Sequence, residues 1–316
     1  MAVQKNPNTP HAAVAFSREL LHPRYVLTWL GLAVAAFLSL LPQSVRHGLG
    51  NWVGDYLYRS NKKRADVAYK NLRQVFPDAQ AEQLQHHVRL HLRWYAKGLL
   101  DYSVFFFATR KRLQAHVSIV NEAYLQLLKQ QEQPVILLLA HSVMLEFAAV
   151  ALSKQGYQSF GSYKRSNNPV LDWIIAKSRC RFVDFVVSRE QGLRPLLKAI
   201  RSQRIMIFLP DEDLGLDNAV FAPFFNRQKA TLTTAARLCK LGKAKAVAGF
   251  VAFDSQQQCY QLRLEELPSH YPLGEAESDA KAMNQAFEQL ILQSPEQYMW
   301  LMKFYKTTRP EDMVLY

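Results

Sequence analysis

The strongest constraint on the fold is an uncharged stretch of 21 residues near the start of the chain, from Tyr25 to Val45. Its first part, Tyr25–Leu41, is almost wholly apolar. About 20 helical residues, rising 1.5 Å each, cover the roughly 30 Å hydrocarbon core of a bilayer. The pattern therefore predicts a transmembrane or deeply embedded anchor helix. A buried core helix is one alternative. A removed signal peptide is the other, although the 24 residues before the apolar run, which include Glu19, are atypical of one.

Positive charge is concentrated around this anchor. The chain of 316 residues has 39 Lys and Arg against 26 Asp and Glu. Residues 1–130 hold 17 of the basic and 7 of the acidic residues, whereas the rest of the chain is close to balance. Helices predicted over residues 59–76 and 79–100 carry much of this charge and form a basic arm. Such an arm suits a surface of anionic lipid headgroups, and an ordinary solvated face is the alternative.

The cysteines and the flanking charges indicate a compartment. Cys180, Cys239 and Cys259 are too few and too scattered for a disulfide framework, so we expect reduced thiols. More basic residues follow the apolar run than precede it, which favours a cytoplasmic position for the C-terminal part.

From about residue 115 the pattern changes to short apolar runs that alternate with helical segments. This alternation predicts an α/β fold with a mixed central sheet flanked by helices. The chain then divides into an N-terminal segment with the membrane anchor (1–45, apolar over 25–41), a basic helical arm (46–115) and an α/β domain (116–316).

The segment around His141 is the best candidate for chemistry. Val135–Ala140 is short and apolar, which predicts a strand buried on both faces, and His141 follows it. Catalytic side chains of open α/β sheets gather at the carboxyl ends of strands. A helix is predicted from Ser142 to Lys154, and Glu146 is the only charge in it before Lys154. A buried carboxylate needs a partner, and His141 can fold back toward it.

A histidine at a strand tip with a carboxylate behind it is suited to act as a general base. The pair His141 and Glu146 could deprotonate an alcohol. No covalent nucleophile is needed if the acyl donor is already a thioester. The spacing of His141 and Glu146 alone is weak evidence for a catalytic pair. The position of His141 directly after a buried strand strengthens it.

The segment resembles the His-x4-Asp/Glu motif of the lysophospholipid acyltransferase superfamily. More closely, the chain resembles the late, or secondary, acyltransferases of lipid A biosynthesis. The resemblance covers nearly the whole chain. It rests on collinear segments that begin at these residues: Pro23 (PRYVLTWLG), Arg64 (RADVAYKNLRQVFP), His141 (HSVMLE), Tyr163 (YKRSNNPVLDW), Leu209 (LPDED), Val220 (VFAPFF) and Pro295 (PEQYMWL).

The resemblance implies transfer of a fatty acyl chain from acyl carrier protein to a hydroxyl of a 3-hydroxyacyl chain on an anionic lipid A precursor. It places the reaction on the cytoplasmic face of the bacterial inner membrane. The acyl-carrier protein thioester is a co-substrate, and no cofactor or metal is expected. His141 and Glu146 match the catalytic pair of the family.

There are four substrate-binding candidates: the resemblance implies Arg165, Asp211 and Asp213, and Lys164 is added by its position. Arg165, after a predicted strand over Ser159–Tyr163, suits a phosphate because a guanidinium can form two hydrogen bonds with it. Lys164 beside it could serve equally well, and an ordinary surface arginine is the alternative. Asp211 and Asp213 follow another apolar run and could orient substrate, although solvation of a loop or an internal ion pair is the simpler interpretation.

Two other functions stay open at this point. One is a glycerophospholipid acyltransferase with the same pair of residues and a different acceptor. The other is a membrane-tethered, non-catalytic protein that binds an anionic ligand such as nucleic acid. We expect no nucleic-acid partner, because the positive excess lies beside an apolar anchor and not on an aromatic stacking platform.

Overall fold

The computed structural model describes residues 16–163, 165–188 and 192–316. The α-helices in these ranges are α1 Val26–Leu40, α2 Gln43–Ser60, α3 Lys62–Val75, α4 Ala81–Phe107, α5 Arg110–Ala115, α6 Glu122–Gln130, α7 Phe147–Lys154, α8 Pro169–Arg179, α9 Leu193–Ile200, α10 Thr234–Gly242 and α11 Ala276–Leu292. The strands are β1 Val117–Val120, β2 Val135–Leu139, β3 Ser159–Tyr163, β4 Phe185–Ser188, β5 Ile205–Phe208, β6 Ala219–Phe224, β7 Arg227–Leu232, β8 Lys245–Asp254 and β9 Cys259–Glu266.

A mixed sheet of seven strands forms the centre of the molecule, in the order β1-β9-β8-β2-β5-β3-β4. The strands from β8 to β4 run parallel to one another, whereas β9 is antiparallel to β8 and parallel to β1. Strands β6 and β7 form a separate antiparallel hairpin. The predicted fold class, a mixed α/β sheet flanked by helices, is confirmed.

Strand β2 lies near the middle of the sheet and is buried on both faces, as its continuous apolar sequence predicts. Ile136 and Leu138 belong to a core cluster shared with α3, α4, α10 and α11. Leu137 and Leu139 belong to a second cluster, which surrounds α7 on the opposite face. Successive side chains of a strand point to opposite faces, so one short segment joins both cores. Burying each such side chain contributes about 1.5–3 kcal/mol.

The helical arm differs from its prediction at its start. The helix expected over residues 59–76 is α3, which begins at Lys62 because the preceding helix α2 extends to Ser60. The side chain of Asn61 caps α3 by accepting a hydrogen bond from the backbone N–H of Arg64 at 3.2 Å. The next predicted helix is α4, which continues through the aromatic residues as far as Phe107.

Helix α2 lies against α4 at very short range. A Cβ at Gly54 would collide with the backbone of Arg93, so only glycine allows this approach. The same interface holds a buried ion pair, in which Arg46 Nε donates to Asp101 Oδ1 at 2.8 Å.

Helix α1 confirms that the apolar run is helical. With the preceding turn it gives an 18-residue segment, Pro23–Leu40, with a mean hydropathy of 1.4, of which 17% is buried. By length and composition it could cross a membrane, although a signal sequence passes the same test. Its low burial argues against the alternative of a core helix.

Candidate active site

His141 lies just beyond the carboxyl end of β2, with 19% of its side chain exposed. The neighbouring parallel strand β5 ends in the same way and is followed by Asp211. Leu138 of β2 pairs with Phe208 of β5 in the sheet register. His141 and Asp211 each stand three residues beyond that pair, so the register brings the two strand tips together.

Asp211 holds His141 by two hydrogen bonds. The backbone N–H of His141 donates to Oδ2 at 2.7 Å, and the ring Nδ1 is 2.5 Å from Oδ1. The Tyr298 hydroxyl donates to the same Oδ2 at 2.9 Å. A carboxylate in this position accepts the Nδ1 hydrogen, which assigns the tautomer whose basic atom is Nε2. The contact fixes both the orientation and the tautomer of the imidazole.

Asp211 is an ionised carboxylate in an almost fully buried place, with 1% of its surface exposed. Burial favours the neutral acid, but the charge of His141, its hydrogen bonds and nearby Lys229 outweigh this effect. The pKa of Asp211 therefore lies below its usual value.

The loop that carries His141 is clamped by the segment after α11. Met299 donates its backbone N–H to the carbonyl of His141 at 2.9 Å, and Val143 donates to the carbonyl of Gln297 at 3.1 Å. The Gln297 side chain in turn bonds the backbone of Phe253 in both directions, at 2.7 and 3.0 Å. These bonds restrict the backbone on either side of Ser142, so the histidine projects from a fixed frame.

The helix expected from Ser142 begins later. Residues 143–146 form turns, and α7 starts at Phe147. The hydroxyl of Ser142 accepts from the backbone N–H of Met144 at 3.2 Å within this turn. Pairing of the His141 loop with residues 297–299 takes the backbone away from a helical path, which explains the late start.

Glu146 has the partner that its burial requires, and that partner is Arg179 at the end of α8. The Arg179 Nε lies 3.0 Å from both carboxylate oxygens, and a second guanidinium nitrogen also bonds Oε1. Burial lowers the pKa of Arg179, but the Glu146 charge and hydrogen bonds outweigh it and raise that pKa. We expected Glu146 to orient His141 itself, whereas the contact at Nδ1 is made by Asp211.

Asp213 is also buried, and it orders a different segment. Its carboxylate accepts from the Thr307 backbone N–H at 2.8 Å, from the Thr307 hydroxyl at 2.7 Å and from Gly215 N–H at 3.1 Å. These bonds are neither the loop solvation nor the internal ion pair given as the simpler interpretation of this acid.

Lys229 is an unforeseen member of the site. Its side chain is fully buried, and its Nζ has no hydrogen-bond partner within the part of the chain that the structure describes. Burial lowers the pKa of this amine to about 8, although Asp211 and Asp213 act in the opposite direction. The lysine places a cation behind the two carboxylates.

Arg165 reaches the same edge of the sheet. It lies two residues beyond β3, the strand beside β5, and it is exposed. Burial and the charge of Asp172 raise the pKa of the Tyr163 hydroxyl, whereas the charge and hydrogen bond of Arg165 lower it. Lys164, the other phosphate candidate, lies outside the described residues.

A cavity of about 370 Å³ opens beside His141. Its remaining lining is mostly apolar and consists of Leu57, Asn61, Arg64, Leu92, Tyr95, Met299, Leu301 and Met302. Arg64 and Leu301 also line a neighbouring basin of about 480 Å³, in which Lys63, Lys303 and Lys306 outnumber the acids Glu212 and Asp213. The histidine thus faces an apolar space that continues into a cationic one.

The sequence matches the family described as bacterial lipid A biosynthesis acyltransferase over residues 13–307. The chain belongs to this family. It is 30% identical over 299 residues to the lipid A biosynthesis lauroyltransferase of Escherichia coli (strain K12), covering 94% of this chain and 97% of the relative. A palmitoleoyltransferase of the same organism is 28% identical, with 95% and 98% covered. A lipid A biosynthesis acyltransferase of Haemophilus influenzae is 27% identical, with 94% and 93% covered.

Membership confirms the resemblance and supports lipid A acyltransferase activity. In this acyltransferase the sequence points to His141 and Asp211 separately, and the structure pairs them. Both follow short buried apolar runs, and that shared position was the available signal. Tyr298 lies in the quoted segment from Pro295, but nothing local indicated that it reaches Asp211.

Proposed function

We propose that the protein transfers a fatty acyl chain from acyl-acyl carrier protein to the hydroxyl of a 3-hydroxyacyl chain on an anionic lipid A precursor. The observation that carries the proposal is the His141–Asp211 pair at the carboxyl edge of the sheet, facing a cavity with apolar and cationic parts. A lipid acceptor with phosphate groups fits both parts, because its acyl chains are apolar and its phosphates are anionic. Family membership narrows the acceptor to lipid A chemistry.

His141 acts as the general base in this proposal. With Nδ1–H bonded to Asp211, Nε2 takes the hydroxyl proton of the acceptor as its oxygen attacks the thioester carbonyl. The tetrahedral intermediate collapses, the carbon–sulfur bond breaks, and the imidazolium returns the proton to the departing thiolate. The products are an ester and the free carrier-protein thiol. Because the thioester is already an activated donor, the step invokes no cofactor or metal.

Two carboxylates support the imidazolium that forms during attack. Asp211 bonds Nδ1 and stabilises the charged ring directly. Glu146 remains the second member of the proposed catalytic pair, five residues after His141 and held in place by Arg179. The negative charge of Asp211 favours proton uptake by the ring.

The acceptor is oriented by its phosphate groups. Arg165 is proposed to bind a phosphate at the tip of β3, with Lys164 next to it in sequence. Asp213 contributes to acceptor binding indirectly, because it anchors Thr307 near the lysines of the cationic basin.

The donor and the acceptor also determine the partners of the protein and its location in the cell. The partners proposed are the acyl-carrier protein and the membrane that holds the lipid precursor. Helix α1 anchors the protein to the bacterial inner membrane, and the α/β domain lies on its cytoplasmic face, where the carrier protein is found.

Mass spectrometry of lipid A tests the function. Deleting the gene should lower the mass of lipid A by that of one acyl chain. Expression of the wild-type protein in the deletion strain should restore this mass, whereas expression of His141→Ala should not. The size of the lost mass gives the chain length. An unchanged lipid A with altered glycerophospholipids would instead indicate the glycerophospholipid acyltransferase.

A further inference from the structure

Helix α2 has its polar side inside and its apolar side outside. Val45, Leu49, Trp52 and Tyr56 recur at spacings of four, three and four, so they form one stripe. All four are exposed, Trp52 to 71% and Tyr56 to 61%. A surface helix of a soluble protein has the reverse arrangement.

The inward side of α2 is held by charges and close backbone contact. Arg46 and His47 both bond Asp101, each at 2.8 Å. Further along, Asp55 accepts from the guanidinium groups of Arg89 and Arg93 at 2.7–2.8 Å. These pairs attach α2 to α4 without using the apolar stripe, so packing among the described residues does not explain why the stripe is exposed.

Helix α1 presents a matching stripe. Leu27, Leu30, Val34 and Phe37 are exposed, Leu27 to 78%, while Leu32 on the other side is buried. Helices α1 and α2 both pack against α4, so both stripes face away from it. We call these eight exposed side chains of α1 and α2 the lipid face.

Both ends of α1 are fastened to the rest of the protein. At the start, the buried Leu20 packs with Val170 and Ile174 of α8. At the end, Arg112 of α5 donates to the carbonyl of Ser39 at 2.7 Å. Near the start, the ring of Trp29 also lies 6.0 Å from the ring of Trp173 on α8.

These attachments restrict how α1 can meet a bilayer. A helix that crosses the membrane places its ends on opposite sides, about 30 Å apart. The 18-residue segment Pro23–Leu40 extends over about 27 Å, so a crossing would carry the parts of the protein attached to its two ends to opposite sides of the bilayer. Helix α8, which packs beside its start, carries the exposed Lys177. Crossing would therefore draw charged parts of the α/β domain into hydrocarbon, which is costly.

We propose that α1 and α2 do not cross the membrane but lie together in one leaflet, with the lipid face inserted among anionic phospholipids. Charge complementarity supports a lipid partner, because exposed cations flank both ends of the surface: Arg18, Arg24, Arg59, Lys62 and Lys63. Trp52 and Tyr56 are the residue types that settle at the headgroup level. Leu57, the residue after Tyr56, lines the His141 cavity, so the lipid face and the candidate site lie on neighbouring sides of α2.

The inference extends the membrane anchoring of the proposed function, and its first test separates the two. The full chain carries one epitope tag before Met1 and another after Tyr316, in a Gram-negative host. Protease should remove both tags in inverted inner-membrane vesicles and neither in spheroplasts. Tags cleaved on opposite sides would overturn the inference, because α1 would then span. Both tags cleaved only in spheroplasts would keep it and contradict the proposed cytoplasmic face.

A second test locates α2 itself. Tryptophan emission of the full chain on anionic phospholipid vesicles is compared between wild type and Trp52→Phe, a change that keeps the apolar face. The emission lost on substitution belongs to Trp52. Brominated acyl chains should quench most of it, and aqueous iodide little. Quenching by iodide would place Trp52 in water, and quenching by neither would place it against a second protein copy. Either result contradicts the inference.

Discussion

Asp211 and His141 are linked by a 2.5 Å contact between carboxylate and ring Nδ1, across two adjacent strand tips. The Tyr298 hydroxyl bonds the same carboxylate. This arrangement holds the imidazole in one orientation, with Nδ1 engaged by the carboxylate, before substrate arrives. Preorganisation of this kind reduces the reorganisation needed during proton transfer.

Replacing Asp211 with asparagine tests the orienting contact. The amide keeps the shape of the side chain but can donate to Nδ1, which favours the wrong tautomer. We expect kcat to fall by about 10²–10⁴ with KM for both substrates little changed. Steady-state kinetics with Asp66→Asn as an exposed control would measure this. A loss confined to KM would argue that Asp211 acts in substrate binding.

Glu146 requires a double substitution, because it both carries a predicted catalytic role and neutralises Arg179. Glu146→Ala should destabilise the protein by about 3 kcal/mol, since a largely buried guanidinium loses its partner. Combining it with Arg179→Met should recover much of the stability in urea unfolding. If Glu146 supports catalysis, transfer stays low in the double variant. Recovery of both stability and turnover would assign Glu146 a purely structural role.

Arg165→Ala should weaken recognition of phosphate. We expect the apparent KM to rise more for a phosphorylated acceptor than for its dephosphorylated analogue, because the lost hydrogen bonds are made to phosphate. Arg237→Ala, an exposed arginine on α10, is the matched control. An equal rise for both acceptors would remove the phosphate assignment.

Lys229 predicts a pH dependence of stability. Its pKa in the folded protein is about 8, below the ordinary 10.5, so between these values the unfolded chain binds more protons. The contribution of Lys229 to stability therefore increases as pH rises from 8 to 10.5. Urea unfolding across this range should show that the free energy of unfolding of wild type rises relative to that of Lys229→Met. Lys240→Met, at an exposed position, is the control. If the difference in free energy of unfolding between wild type and Lys229→Met does not change with pH, the lowered pKa of Lys229 is contradicted.

Local pattern was sufficient for single elements. The apolar run from Val135 indicated a strand buried on both faces, and β2 contributes to both core clusters. The expected strand Ser159–Tyr163 is β3 with the same bounds. In each case the residues that decide the structure are adjacent in sequence, so periodicity and turn residues were enough.

Contacts between distant segments were not predictable in the same way. Strands β3 and β4 intervene in sequence between β2 and β5, so no local pattern shows that His141 meets Asp211. Glu146 clearly needed a partner, but Arg179 lies 33 residues away. Helix α2 escaped detection for another reason: its apolar side faces outward, which is the opposite of the pattern expected for a packed helix.

Single-turnover acyl transfer by purified His141→Ala tests the role of His141 as general base most directly. The measurement uses a radiolabelled acyl-acyl carrier protein and a lipid A precursor, with His86→Ala on the exposed side of α4 as the matched control. We predict a folded variant whose rate falls by about 10²–10⁴ while the control keeps its rate. A folded His141→Ala enzyme with a near-normal rate would show that the proton is taken by another group.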